Sequence, residues 1–172
     1  MQYKSTYGQG TFKKLKDTSG QYYQLTKPIT PDELLDVARE IANDSLNCGI
    51  ALTSSTKTKL TLATLIRDIE REVFGVLFLN NQNQLIKFEV LFYGTVNSAS
   101  VYPREVIKRA LIWNASAVMF CHNHPSGSSV PSEADKRITR HLSEALALID
   151  IQVLDHFVIG NDTYSFAEHG LI

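Results

Sequence analysis

Ala117-Val118-Met119-Phe120-Cys121-His122-Asn123-His124-Pro125-Ser126-Gly127-Ser128-Ser129-Val130-Pro131-Ser132-Glu133-Ala134-Asp135 is the stretch whose reading decides the fold. Its first five residues are apolar throughout, which suits a strand buried on both faces and therefore central in a sheet. His122 and His124 leave that strand at i, i+2 and point to one side, because side chains on a strand alternate. The Gly-, Ser- and Pro-rich residues that follow make a loop. Ser132 then opens a helix carrying Ile138, Leu142, Ala145, Leu146 and Ile149 in period. Asp135, in its first turn, can come back beside the two histidines. Two imidazoles and a carboxylate are a normal catalytic zinc set, with the fourth tetrahedral position left for water. Each piece also has a plainer reading. Ser132-x-x-Asp135 is a capping-box-like pair, and surface loops carry His freely. The two roles of the Ser/Asp pair are compatible, and it is the joint spacing that points to a metal.

The rest of the chain arranges itself around this stretch. Thr30-Pro31-Asp32-Glu33 is a helix start, with a hydroxyl cap, Pro at the first helical position and acids on the dipole. Leu34, Leu35, Ala38, Ile41 and Ala42 continue that helix to about Leu46, and Asn47-Cys48-Gly49 ends it. A second helix carries Leu62, Leu65, Ile66 and Ile69 and passes into Val73–Leu79, a continuous apolar run that predicts a buried strand. Asn80-Asn81-Gln82-Asn83 makes a hairpin turn. From Leu85 to Tyr93 the residues alternate, which predicts a paired antiparallel strand with Ile86, Phe88, Val90 and Phe92 on one face. Pro103 opens a third helix with Val106, Ile107, Ala110 and Leu111 in period. Ile151 to Ile159 is a fourth strand, and Tyr164-Ser165-Phe166 is a short last one. The order β-β-α-β-α-β predicts an α/β (α+β) domain, one sheet flanked by helices.

Composition excludes several classes. With 172 residues, 44% hydrophobic and 20% charged, the chain is long enough to bury a core and too apolar for wholesale disorder. Cys48 and Cys121 are too few for a disulfide scaffold or a four-Cys zinc site. Cys121 reads as a small buried hydrophobe. Met1-Gln2-Tyr3-Lys4 has no apolar run of a secretory signal, and nothing approaches a membrane span, so a soluble cytoplasmic protein with no membrane partner is expected. Residues 1–27 hold five Lys and one Asp, a basic arm with net charge +4 and a short strand around Tyr22, Tyr23 and Leu25. Residues 28–172 carry net −5, which counts against a large nucleic-acid contact.

His-x-His, seven residues, Ser, two residues, Asp resembles the metal-binding signature of the JAB/MPN (JAMM) metallopeptidase superfamily, which His122, His124, Ser132 and Asp135 match without a gap. Gly94-Thr95, Ser98-Ala99-Ser100-Val101, Pro103-Arg104-Glu105-Val106, His122 to Gly127, Pro131 to Asp135, Leu154-Asp155-His156 and Ser165-Phe166-Ala167-Glu168-x-Gly170 are similar to the bacterial RadC family. The resemblance covers about residues 55–172. Full-length RadC proteins carry a helix-hairpin-helix-like region first. Residues 1–50 show no Gly-hairpin signature and look more like the shorter relatives on mobile elements. The division expected is a basic arm plus helix over 1–50 and a RadC-like JAB/MPN domain over 51–172.

The resemblance implies a cytidine-deaminase-like fold, a curved mixed sheet with flanking helices and zinc at its edge. It implies Zn²⁺ held by His122, His124 and Asp135, with Ser132 helping to stabilise an oxyanion and a Glu acting as general base. In the superfamily that Glu stands just before the first strand, followed by two residues and a Gly-aliphatic pair. Glu72-Val73-Phe74-Gly75-Val76 fits, and Glu89 on the second strand is the competitor. Glu105 reads as first-turn helix decoration, and Arg104 and Arg109 as helix-surface charges. His156 is either a neighbour of the ligands, a substrate contact or a hydrogen-bonded structural residue. His141 is expected on an exposed helix face and His169 in the tail. The function implied is hydrolysis of a peptide or isopeptide bond in a peptide or protein substrate. The alternatives are a DNA-repair- or nucleic-acid-associated protein, against which the charge speaks, and a non-catalytic scaffold, which would normally lack the ligands.

Overall fold

A computed structural model describes residues 12–17, 20–47, 55–94 and 101–172. Cys48, Gly49, Thr95, Ser98, Ala99, Ser100 and the first residues of the basic arm lie outside them. Where one short strand was expected in the arm, two form a hairpin, β1 (Phe12–Asp17) and β2 (Gly20–Leu25). The helix α1 (Pro31–Asn47) starts as its sequence predicts. The Thr30 hydroxyl accepts from the Glu33 N–H at 3.2 Å, and the Glu33 carboxylate accepts from the Thr30 N–H at 2.8 Å. That reciprocal cap holds the Glu33 carboxyl below its usual range, chiefly through the Thr30 amide. The helix α2 (Ser55–Ile66) ends before Ile69, which lies in the connection to the first sheet strand.

Five strands form one mixed sheet in the order β4-β3-β5-β6-β7. β3 (Val73–Leu79) pairs antiparallel with β4 (Leu85–Tyr93) and with β5 (Ala117–Asn123). β6 (Gln152–Ile159) runs parallel to β5, and β7 (Thr163–Ser165) closes antiparallel on β6. The helices α3 (Pro103–Ile112) and α4 (Glu133–Ala147) supply the crossovers. The strand read as central, β5, stands third of five.

Helices cover both faces. Val73, Leu77 and Leu79 of β3 pack with Leu46 of α1 and Leu62 and Ile66 of α2. Phe74, Val76 and Phe78 pack with Val106 and Ala110 of α3 and Leu142 and Leu146 of α4. Every β3 residue is therefore buried, each large side chain gaining about 1.5–3 kcal/mol from leaving water. Gly75 is the exception in size, and its reason is steric. A Cβ there would stand 2.8 Å from the Phe88 ring and 2.9 Å from the Cys121 Sγ.

β4 departs from simple alternation. Gly75 faces Val90 while Phe74 faces Phe92, so Leu91 is an extra residue, and Ile86 is another. These bulges place Phe88 and Val90 on the α1/α2 side and Phe92 on the α3/α4 side. The single apolar face expected for this strand is thus divided between both. A third bulge, at Leu154, shifts the β6 register so that His156 lies opposite Phe120. Without it, His156 would face the other side of the sheet.

Candidate metal centre

The strand β5 ends with His122 on the α3/α4 side of the sheet, stacked on Phe74. His122 is 1% exposed, and its ring lies parallel to the Phe74 ring with centroids 6.4 Å apart. His124 sits one step past the strand, in a tight turn where its carbonyl accepts from the Gly127 N–H at 2.9 Å. Gly127 makes that turn with φ at +84°, a conformation that favours glycine. The turn is braced by the β6–β7 connection, because the Asn161 N–H donates to the Gly127 carbonyl at 2.8 Å. The His124 Nδ1 lies 2.8 Å from the Ser128 carbonyl oxygen, which only accepts, so the proton is on Nδ1. The Nε2 lone pair of the neutral ring is left facing inwards.

Gly160 is the point where this brace touches the loop. A Cβ on Gly160 would lie 2.4 Å from the Gly127 carbonyl oxygen and 2.7 Å from the Ser128 carbonyl carbon. The Gly160→Ala protein is expected to lose about 1–3 kcal/mol of stability and to let the His124 ring drift from Ser128. Thermal unfolding with and without zinc reads both effects, and a wild-type melting temperature would contradict the expectation.

Asp135 arrives from the first turn of α4, where the capping box read from the sequence is fully formed. The Ser132 hydroxyl accepts from the Asp135 N–H at 3.1 Å and donates to its Oδ2 at 2.6 Å, and the Ser132 N–H donates to the same Oδ2 at 2.7 Å. These bonds fix the carboxylate with Oδ1 3.5 Å from the His122 Nε2 and Oδ2 3.6 Å from the His124 Nε2. The two Nε2 atoms are 3.0 Å apart. Burial pushes the Asp135 carboxyl up, but the two imidazoles and the Ser132 hydroxyl outweigh it and hold the group well below the usual carboxylate range. Asp135 in turn raises His124, against the opposing effect of burial.

Among the described residues, His122, His124 and Asp135 form a group whose donor atoms all lie within 4.8 Å of one another. Two zinc-bound nitrogens at tetrahedral angles stand about 3.3 Å apart, close to the 3.0, 3.5 and 3.6 Å separations here. The donor set could hold a metal ion.

The two rival carboxylates are placed differently. Phe74 pairs with His122, so Glu72, two residues earlier and on the same face, stands towards His124. Its negative charge helps to raise the His124 ring. The Glu72 carbonyl accepts from the Gly94 N–H at 2.8 Å. Glu89 pairs with Val76 on the far strand and lies 3.5 Å from the Arg109 Nε, with β3 between it and the histidines. Glu105 is exposed in the first turn of α3, and Arg104 and His141 are exposed.

Three further residues support the centre. Asn123 alternates away from the histidines, and its Oδ1 accepts from the Val73 N–H at 2.8 Å. Its Nδ2 donates to the carbonyls of Ile69 at 2.9 Å and Arg71 at 3.3 Å. The segment bearing Glu72 is therefore tied to the strand bearing the histidines. The period-2 alternation of His-x-His places Asn123 on the opposite face, but its partners are read only from the fold. His156 is fully buried, with Nε2 2.8 Å from the His122 Nδ1 and Nδ1 2.6 Å from the Thr139 Oγ1. Of its sequence readings, the structure puts it beside a candidate ligand. Burial, then His122, hold its ring well below the ordinary imidazole range. Thr139, four residues after Asp135 on the buried face of α4, drew no attention in the sequence.

Several other polar residues join elements of the fold. Asp155 accepts from the Ser165 hydroxyl at 2.6 Å and from the Ala167 N–H at 3.0 Å, binding β6 to the short 3-10 helix Ala167–His169. Glu168 of that helix pairs with Lys59 and accepts from the Ser55 hydroxyl at 2.7 Å, docking it on α2. His169 stacks on Tyr164 with centroids 3.9 Å apart. Cys121 is buried beside Gly75, and burial pushes its thiol up to about 12. Among the described residues no helix is long and apolar enough to cross a membrane.

Comparison with known proteins shows the family. Residues 52–171 match the model of the RadC-like JAB domain. A UPF0758 protein of Vibrio atlanticus (strain LGP32) is 55% identical over 147 residues, which are 85% of this chain and 66% of that protein. A UPF0758 protein of Vibrio vulnificus (strain YJ016) is 56% identical over the same coverage. The chain thus spans just under two thirds of the length of these relatives. A UPF0758 protein of Vibrio cholerae serotype O1 (strain ATCC 39315 / El Tor Inaba N16961) is 51% identical over 148 residues, 86% of this chain and 94% of that protein. With its mixed five-strand sheet, its flanking helices and its match over residues 52–171, the chain belongs to the RadC-like JAB domain family.

Proposed function

We propose that this chain is a zinc-dependent hydrolase of the JAMM type that cleaves a peptide or isopeptide bond in a peptide or protein substrate. The observation that carries the proposal is the convergence of His122, His124 and Asp135, two imidazoles and a carboxylate within 4.8 Å on rigid supports. His122 and His124 would hold the ion through Nε2, and Asp135 through its carboxylate. Zinc, when bound, supplies Lewis acidity that polarises a carbonyl and lets water lose a proton at about pH 7. The Glu72 carboxylate would accept that proton and deliver it to the leaving amine, general acid–base work of the usual kind. Ser132 would donate to the developing oxyanion. Its single hydroxyl proton is given to Asp135 here, so this role requires one hydrogen bond to be exchanged for another.

The test is metal analysis of protein purified without chelators. The wild type is expected to carry one zinc per chain and His124→Ala to lose it. A wild type without stoichiometric zinc overturns the proposal.

A further inference from the structure

We infer that Thr139 and His156 set the tautomer of His122 and thereby hold two metal-binding side chains in register. The inference rests on the metal-site reading above and adds to it two positioning residues outside the donor set. The Thr139 Oγ1 is 2.6 Å from the Asp135 carbonyl oxygen and 2.6 Å from the His156 Nδ1. A carbonyl oxygen only accepts, so the hydroxyl proton goes to Asp135 and the hydroxyl lone pair faces His156. His156 must then carry its hydrogen on Nδ1 and present a lone pair at Nε2. That lone pair, 2.8 Å from the His122 Nδ1, accepts a hydrogen from it. The direction of every bond follows from the one carbonyl at the start of the chain.

The outcome is a His122 ring whose Nε2 is bare and aimed at the His124 Nε2 and Asp135. Ligating histidines generally donate their second N–H to a carboxylate, carbonyl or water; here another imidazole takes that place. Burial makes the arrangement exclusive. His156 is 0%, His122 1% and Thr139 2% exposed, so bulk water does not compete for these bonds. The His156 ring is also clamped, with Phe166 stacked at 4.8 Å and Phe120 edge-on at 5.8 Å between centroids. The chain of bonds joins three elements. It begins at the main chain of Asp135 on α4, crosses β6 and ends on β5, so the carboxylate and the imidazole are spaced by a hydrogen-bonded spacer.

The experiment uses the full chain labelled with ¹⁵N-histidine. In metal-free wild type at alkaline pH, where the rings are neutral, long-range ¹H–¹⁵N spectra are expected to show His122 as the Nδ1–H tautomer. Thr139→Val removes the hydroxyl and is expected to give mixed tautomers at His122 and a loss of about 10–100-fold in zinc affinity by chelator competition. Thr139→Ser restores the hydroxyl and is expected to recover most of both. An Nε2–H tautomer in wild type overturns the inference. So does wild-type zinc affinity in Thr139→Val, or a Thr139→Ser as weak as Thr139→Val. Should Thr139→Val fail to fold, the wild-type tautomer and the Ser variant still decide. A wild type that takes up no zinc defeats the hydrolase proposal, and the metal-free spectra then decide this inference by themselves.

Discussion

Glu72→Gln is expected to keep its zinc and lose hydrolysis by about 10²–10⁴-fold, the usual contribution of a positioned acid–base group. Gln preserves the shape of the side chain and its hydrogen-bonding capacity but cannot take up a proton. Glu72 is not among the three donors, so metal content has no reason to change. Glu89→Gln is the control. Its carboxylate lies 3.5 Å from Arg109, on the outer strand with β3 between it and the histidines, so both zinc content and hydrolysis should match wild type. The measurement is cleavage of a quenched-fluorescent peptide library by the three proteins, alongside zinc per chain. Loss of cleavage in Glu89→Gln with Glu72→Gln fully active would reverse the assignment.

The second large effect is on stability. Asn123→Ala should strand the Val73 N–H and the carbonyls of Ile69 and Arg71, which the amide serves together. The bond to the Val73 N–H is the buried one of the three, and a buried group left unpaired costs about 1–3 kcal/mol, a large share of a total of about 5–15 kcal/mol. Asn123→Asp separates the contributions. It keeps an acceptor for Val73 but turns a carboxylate oxygen towards two carbonyls, so it should be destabilised as well. Urea unfolding reads the loss. Amide hydrogen exchange at Val73 should accelerate in Asn123→Ala beyond neighbouring β3 amides. A wild-type unfolding midpoint in both variants would show that the tie carries no weight.

What could be read from the sequence depended on range. The helix starts at Thr30 and Ser132 were legible because a cap is made by residues three apart, and both formed as read. The continuous apolar runs of β3 and β5 were legible because burial on both faces leaves no alternation to misread. β4 formed with the bounds and antiparallel pairing read for it, but its apolar residues do not share the single face expected. Ile86 and Leu91 are ordinary apolar residues, and nothing in their chemistry announces that each is an extra residue against β3. His156 had several readings because its face depends on the bulge at Leu154, a property of β5 and β6 together. The contest between Glu72 and Glu89 was of the same kind. Both precede or occupy strands, and only the pairing of Phe74 with His122 places one of them towards the donors.

The difference between local and distant contacts also orders events in time. His122, His124 and Asp135 all lie in one short span of chain, whereas Asn123 reaches Val73 across 50 residues and His156 reaches His122 across 34. Closing a short loop costs less chain entropy than closing a long one, and contacts between distant residues slow folding. As the chain leaves the ribosome, the three candidate donors emerge before His156. Binding of metal to folded but not unfolded protein is itself folding free energy. An ion captured by the loop and the start of α4 would draw β5 and α4 together and lower the entropic barrier to docking β6. In that order the centre would be an early crosslink of the nascent domain, with the buried histidine beneath it docking later.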